Sequence, residues 1–198
     1  FVILGEPGAG KTTTLDRFAL ELARGRLRDP LRGKLPVRIN LFNFLGEKQL
    51  PADFLKAQWE TTGLSDLYGE AIASGAVCFL LDGVNQMPLS DRTKRIELWK
   101  NWANSEADLP LGNWAIFTCR TADYVTNLRL PEVRVQTLDT ERIKKYFEMR
   151  FGAERTQQVW IEFEKRLRSG DDRFERLARN PFMLSIMADR VAAGKTFA

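Results

Sequence analysis

Eight consecutive residues, Gly5-Glu6-Pro7-Gly8-Ala9-Gly10-Lys11-Thr12, put glycines, a lysine and a hydroxyl at the spacing Gly, four residues, Gly-Lys-Thr. Glycines let neighbouring backbone N–H groups converge on an anion, and a helix starting near Lys11 adds its positive end. In such a phosphate-binding loop Lys11 reaches the β and γ phosphates of a nucleoside triphosphate. Thr12 supplies a hydroxyl to magnesium, a hard cation that takes oxygen ligands, and Thr13 is placed for the α phosphate. Farther on, the apolar run Val77-Cys78-Phe79-Leu80-Leu81 ends in Asp82. That is the form of a Walker B carboxylate, able to hold magnesium directly or through water; an acidic residue at an ordinary strand-to-turn boundary is the plainer account. Asn85 and Gln86 follow where hydrolytic P-loop proteins usually carry acidic residues. Neither amide accepts a proton as a carboxylate does, although either can position a water. Slow hydrolysis with retained binding is the expectation. Arg120 closes the run Phe117-Thr118-Cys119-Arg120, and its permanent charge and planar fork suit a γ phosphate. A solvated arginine at a strand end is the alternative there.

The elements that must carry these groups follow from the pattern of apolar runs. Short, near-continuous apolar segments alternate with helix-length amphipathic ones, as in an α/β protein whose parallel sheet is covered on both faces. Strands are predicted at Phe1–Leu4, Val37–Asn43, Val77–Asp82, Trp114–Thr118 and Val133–Thr137. Helices are predicted at Lys11–Arg24, Ala52–Thr61, Ser65–Ser74 and Asp91–Asn104, with Arg24–Pro36 a surface connection. Beyond the fifth strand only helices are expected. Asp139 caps one that runs to about Phe151, a second covers Glu154–Arg168, and Asn180-Pro181 opens the apolar helix Phe182–Val191. The expected organisation is an α/β nucleotide-binding domain over residues 1–138 and a helical subdomain over residues 139–198.

Composition narrows the chemistry. The chain of 198 residues has no histidine and two cysteines, so imidazole chemistry and a structural zinc site are not expected. Cys78 and Cys119 lie in strand-like runs where small buried thiols are ordinary, which points to a reducing, cytoplasmic compartment. The net charge of +4 arises from scattered arginines among acidic residues, and nucleic-acid binding is not expected from it. No apolar run is long enough for a membrane span, and Phe1–Leu4 lacks the basic flank of a signal peptide. A chain opening on an apolar strand without methionine is expected to belong to a longer polypeptide. Trp99 and Trp102, three apart beside Ile96 and Leu98, read as the buried face of a helix, and Trp59 and Trp160 as core or interface.

No Asn-Lys-x-Asp element for guanine is present, which favours adenine. In order, Gly-Glu-Pro-Gly-Ala-Gly-Lys-Thr-Thr, Phe-Leu-Leu-Asp-Gly-Val-Asn-Gln, Phe-Thr-Cys-Arg and Arg-Asn-Pro-Phe-Met-Leu resemble the motifs of NACHT-type NTPases, signalling ATPases of the STAND class. The likeness runs from Gly5 to about Met187 and includes the small Gly83 directly after Asp82. It implies a three-layer P-loop fold with strand order 5-1-4-3-2, Asp82 and Arg120 on neighbouring strands, and Pro181 near the adenine. Pro181 is equally well explained as a helix-starting proline. The resemblance further implies a switch in which ADP holds a closed monomer and ATP exchange permits self-association and activation of a fused effector. Sensor and effector domains would lie elsewhere in the polypeptide, and the motif style is similar to bacterial NACHT proteins of defence signalling. Where the family usually has a glutamate this chain has Gln86, which bears on turnover rather than binding.

Three readings stay open: a NACHT switch core with slow hydrolysis, a scaffold that holds ATP without turnover, and a small-molecule kinase using the arginine-rich stretch Arg166–Arg179 as a lid. A Walker B strand next to the P-loop strand would favour the kinase. An intervening strand bearing Arg120 would favour the switch.

Overall fold

The computed structural model describes residues 1–46 and 49–197. By their internal contacts these residues form two compact units, one comprising residues 1–6 and 11–134 and the other residues 7–10 and 135–198.

The first unit is built on five parallel strands, β1 (Val2–Gly5), β2 (Leu35–Asn40), β3 (Val77–Asp82), β4 (Trp114–Arg120) and β5 (Glu132–Arg134), in the order β2-β3-β4-β1-β5. This is the expected 5-1-4-3-2 order. Alternation along the strands gives the sheet two faces. Val2, Leu4, Val37, Ile39, Val77, Phe79, Leu81, Phe117 and Cys119 share one core with Phe54, Leu55 and Trp59 of α2 (Pro51–Glu60) and Ile96, Trp99 and Trp102 of α4 (Arg92–Ala103). The opposite alternation, which includes Cys78, Leu80, Asp82, Ile116 and Thr118, faces away from that core, on the side served by α1 (Lys11–Arg28) with its buried Leu15. The tryptophans expected in the core are there: Trp99 packs edge-to-face on Phe44, Phe117 and Trp102. Both cysteines are buried free thiols.

Several boundaries differ from the sequence reading, each for a local reason. The supposed connection Arg24–Pro36 is helical to Arg28. The turn behind it is closed by Arg26 Nη1 donating to the Gly33 carbonyl at 3.0 Å, and Gly33 lies so close that a Cβ there would sit 2.4 Å from Arg26 Cα. β2 begins earlier, at Leu35, and stops at Asn40, whose side chain caps a 3-10 turn over Leu41–Asn43 by accepting from the Phe42 N–H at 2.9 Å. Pro36 is tolerated because Leu35 N–H donates to Ala76, which turns residues 36, 38 and 40 outward on this edge strand, where a missing N–H costs nothing. The Ser65–Ser74 helix is a 3-10 turn over Ser65–Leu67 followed by α3 (Tyr68–Ala73). β5 is three exposed residues, shorter than expected, because it is an edge strand paired only to β1.

The second unit contains α5 (Thr140–Phe151), α6 (Ala153–Leu167), α7 (Asp172–Ala178) and α8 (Pro181–Ala192). Asp139 caps α5 as expected, accepting from the Arg142 N–H at 2.8 Å. The arginine-rich stretch Arg166–Arg179 is not one continuous helix: Asp171 interrupts it and caps α7, which turns Phe174 and Ala178 inward. Phe147, Phe163, Phe174 and Phe197 make the aromatic centre of this unit's own core. No helix among the described residues is long and apolar enough to cross a membrane.

Candidate functional site

In the sheet unit the chemistry gathers on the face that α1 serves. β3 delivers Asp82 at its C-terminal end, and the register puts Asn40 beside it on one side and Thr118 on the other. Asp82 is almost wholly buried, so its two oxygens need partners. Oδ1 accepts from the Thr118 hydroxyl, which in turn accepts from the Gly83 N–H at 2.8 Å. Oδ2 accepts from Thr12 Oγ1 at 2.9 Å and from Arg38 Nη2 at 3.0 Å. The sequence-predicted pair of magnesium ligands is therefore already assembled, through one hydrogen bond between a helix N-terminus and a strand end. Gly83 has φ +85°, a left-handed conformation, and a Cβ there would lie 2.7 Å from the Gln86 side chain. That is the physical content of the small residue after Asp82.

Lys11 opens α1. Its Nζ donates to the carbonyls of Gly5 at 2.7 Å and Glu6 at 3.0 Å, so the ammonium lies across the start of the loop. Burial first, and then the Arg120 cation, pull the Lys11 pKa below the ordinary lysine value, against the opposite pull of Cys119, Asp82 and Glu6. Two cations that raise each other's energy in a partly desolvated place make a site that an anion relieves. Arg120 ends β4 directly opposite Gly5 of β1. Its backbone N–H donates to Asn85 Oδ1 at 3.1 Å. The two amides differ in their surroundings: Asn85 braces the end of β4, whereas Gln86, at the position where the resemblance expects a glutamate, is exposed. Thr12 and Thr13 are also exposed.

Pro7–Gly10 make their contacts within the helical unit. Asn180, read from sequence only as a helix cap, does two things. Its Oδ1 accepts from the N–H groups of Phe182 at 3.1 Å and Met183 at 3.3 Å, while its Nδ2 donates to the Pro7 carbonyl at 2.8 Å. The Phe182 N–H also reaches the Gly8 carbonyl at 3.2 Å. Gly8 has φ +77°, and a Cβ on it would meet Asn180 Oδ1 at 2.7 Å and Phe182 Cβ at 2.9 Å, so only glycine fits under the start of α8. Pro181 is the first residue of that helix, half-buried.

Sequence reasoning missed Arg38, Thr118 and the second role of Asn180. Thr118 and Arg38 share the pleat face of Asp82 through the strand register, which alternation within a single strand does not reveal. Among the described residues no cluster of three or more His, Cys, Asp or Glu side chains could cage a metal. Thr12 and Asp82 offer oxygen donors only, which fits magnesium bound through phosphate and water rather than by an all-protein site.

A parallel sheet in this order, a glycine-rich loop between β1 and α1, and a buried carboxylate at the tip of β3 bonded to the loop threonine define a P-loop NTPase. The family model of the NACHT domain matches residues 1–154 of the 198, and the chain belongs to the NACHT family, as a nucleotide-binding NTPase module. No relative among curated proteins matches the chain.

Proposed function

We propose that this chain is the nucleotide-dependent switch core of a larger signalling protein of the bacterial defence type, working in the cytoplasm with ATP and ADP and hydrolysing ATP slowly. The observation that carries the reading is the Thr12–Asp82 bond of 2.9 Å beside a β4 that bears Arg120 and lies between β1 and β3. That intervening strand speaks against the kinase reading, which expects the Walker B strand next to the P-loop strand.

In this proposal residues 1–138 are the nucleotide-binding domain and residues 139–198 the start of a helical domain. Gly5, Glu6, Pro7, Gly8, Ala9, Gly10 and Thr13 cradle the phosphates. Lys11 leaves the Gly5 and Glu6 carbonyls for the β and γ phosphates, exchanging neutral acceptors for charged ones, and charge-assisted bonds are the stronger. Magnesium, when bound by Thr12 and Asp82, would neutralise charge on the phosphate oxygens. Arg120 answers to the γ phosphate and Pro181 to the adenine. A γ phosphate bound more tightly in one domain arrangement shifts the population toward it, and that differential affinity is the switch. Self-association, a sensor and an effector in the same polypeptide complete the reading.

A second reading, the non-hydrolysing scaffold, is favoured by Gln86 in the place of the usual glutamate. Calorimetry of ATP binding in magnesium, with phosphate release followed over hours, separates the two, using Lys11→Ala as control and Gln86→Glu as a gain-of-function variant. Binding with slow, Lys11-dependent release that Gln86→Glu accelerates supports the switch. Binding with no release moves the assignment to the scaffold. Absence of binding removes the proposed roles of all these residues.

A further inference from the structure

Arg38 belongs to none of the motifs, yet it contacts the buried carboxylate of Asp82. It stands on edge strand β2, two positions before Asn40, and the pleat turns it to the face that α1 serves. Its Nη2 donates to Asp82 Oδ2 at 3.0 Å and its Nε to Asp16 Oδ1 at 2.8 Å. Asp16 stands four residues after Thr12 on α1, so the two lie on one helix face. Asp82 Oδ1 is taken by Thr118, which leaves Oδ2 as the oxygen able to accept an incoming cation, and Oδ2 is the atom that Arg38 holds.

The exposures differ in a way that suggests exchange. The Asp82 side chain is 8% exposed, and a carboxylate that buried is costly without a countercharge. Arg38 is 31% exposed and Asp16 60%, so the guanidinium can turn outward and keep a carboxylate as it does so. Oδ2 therefore has two possible cations, one built in and one brought by nucleotide.

We propose that Arg38 stands in for the divalent cation at Asp82 while the site is empty and yields the carboxylate when magnesium and nucleotide enter, Asp16 retaining the guanidinium. The inference rests on the nucleotide-binding reading of this site. Arg38 is a positioning residue: it orients Asp82 Oδ2 and supplies its countercharge, and it sets how much magnesium nucleotide capture requires. The exchange replaces one ionic partner by another, with no covalent bond made or broken.

Two single substitutions move the magnesium requirement in opposite directions, which general destabilisation does not do. Arg38→Gln removes the competing cation, and Asp16→Asn removes the carboxylate that draws Arg38 off Asp82. The experiment is ADP binding by calorimetry across a magnesium series, for the wild type, Arg38→Gln, Asp16→Asn and Arg38→Lys. The magnesium midpoint is expected to fall by about two- to fivefold in Arg38→Gln, the range of a partly exposed ion pair. It rises in Asp16→Asn and returns toward the wild type in Arg38→Lys. Melting temperature gives a second readout: Arg38→Gln is destabilised without ligand, and the loss shrinks in magnesium and ADP because the metal restores a countercharge to Asp82. A midpoint that rises in Arg38→Gln, midpoints that do not move, or a melting loss equal in both conditions overturns the inference. If the wild type binds no nucleotide at any magnesium concentration, the site reading falls and this falls with it; binding with unmoved midpoints removes the exchange alone.

Discussion

Replacing Thr118 by valine keeps shape and β propensity while deleting one hydroxyl, and the surroundings make that deletion expensive. The hydroxyl donates to Asp82 Oδ1 and accepts from Gly83 N–H at 2.8 Å, and Thr118 is only 1% exposed. A hydrogen bond to a charged group is worth about 1.5–3 kcal/mol, and a buried N–H left without a partner costs about 1–3 kcal/mol. The two losses share one small region and are not additive, so the expected destabilisation is about 2–4 kcal/mol. For a chain of this length that lowers the melting temperature by about 5–15 °C. Urea unfolding followed by tryptophan fluorescence is the suitable assay, because Trp59, Trp99, Trp102 and Trp114 all belong to the sheet unit. Thr118→Ser keeps the hydroxyl and loses a methyl, and is expected to cost about 1 kcal/mol. A valine variant that loses less than about 1 kcal/mol, or a serine variant that loses as much as the valine, refutes the argument that the hydroxyl bridge orients Asp82.

Gly83→Ala forces a side chain into the left-handed region and is expected to cost about 1–2 kcal/mol in the same assay. The cost should persist in a Gln86→Ala background, because the strain lies in the backbone while the facing Gln86 side chain can swing away. Asn180→Ala removes a helix cap worth about 1 kcal/mol together with the donor to the Pro7 carbonyl, and hydrogen exchange at the Phe182 and Met183 amides should accelerate. Asn180→Asp, which keeps the cap acceptor, should leave those two amides protected. Burial pushes the Cys78 thiol up to about 12 and Cys119 to about 11 from an ordinary 9.0. Folding therefore favours the protonated thiols; that stability is fully present below pH 9 and is lost as pH rises from there through 11 and 12. Tyr68 and Tyr124, also raised chiefly by burial, act in the same direction. The melting temperature should fall progressively above pH 9, and less steeply when both cysteines are replaced by alanine.

The sheet was legible because a buried parallel strand writes itself as an unbroken apolar run, and β3 matches its expected bounds of Val77–Asp82. The phosphate loop and Asp82 were legible because their chemistry fixes residue type at fixed spacing. What stayed hidden depends on distance in sequence. Arg38 and Asp82 are 44 residues apart, Asn180 and Pro7 173, and nothing local distinguishes either from a solvated side chain or a simple cap. Arg95 is a similar case. It reads as one more charge on a helix, yet it is buried with its guanidinium donating to the carbonyls of Leu45, Pro88 and Ser90. A boundary was lost where a side chain rather than periodicity ends an element, as Asn40 does for β2, and α7, which Asp171 opens, was not expected from sequence.

The same geometry sharpens the question of turnover. From sequence, either amide could position an attacking water, and the resemblance singled out Gln86, where the family usually has a glutamate. In the fold Asn85 Oδ1 holds the Arg120 N–H across to β4, and turning that amide toward a water would release the strand end that carries Arg120. Gln86 has no such duty; it is exposed and lies against Gly83, one turn from Asp82. In the proposed function, positioning of a water by an amide would therefore fall to Gln86. It can hold a water by hydrogen bonding, but unlike a glutamate it cannot take the proton, and the proposed slow hydrolysis rests on that difference. If Arg120 answers to the γ phosphate as proposed, Asn85 acts on nucleotide by fixing the strand end that carries it, so Asn85→Ala should disturb the response to the γ phosphate and leave ADP binding nearly unchanged. Equal losses for ATP and ADP would show that the Asn85 brace serves the fold alone.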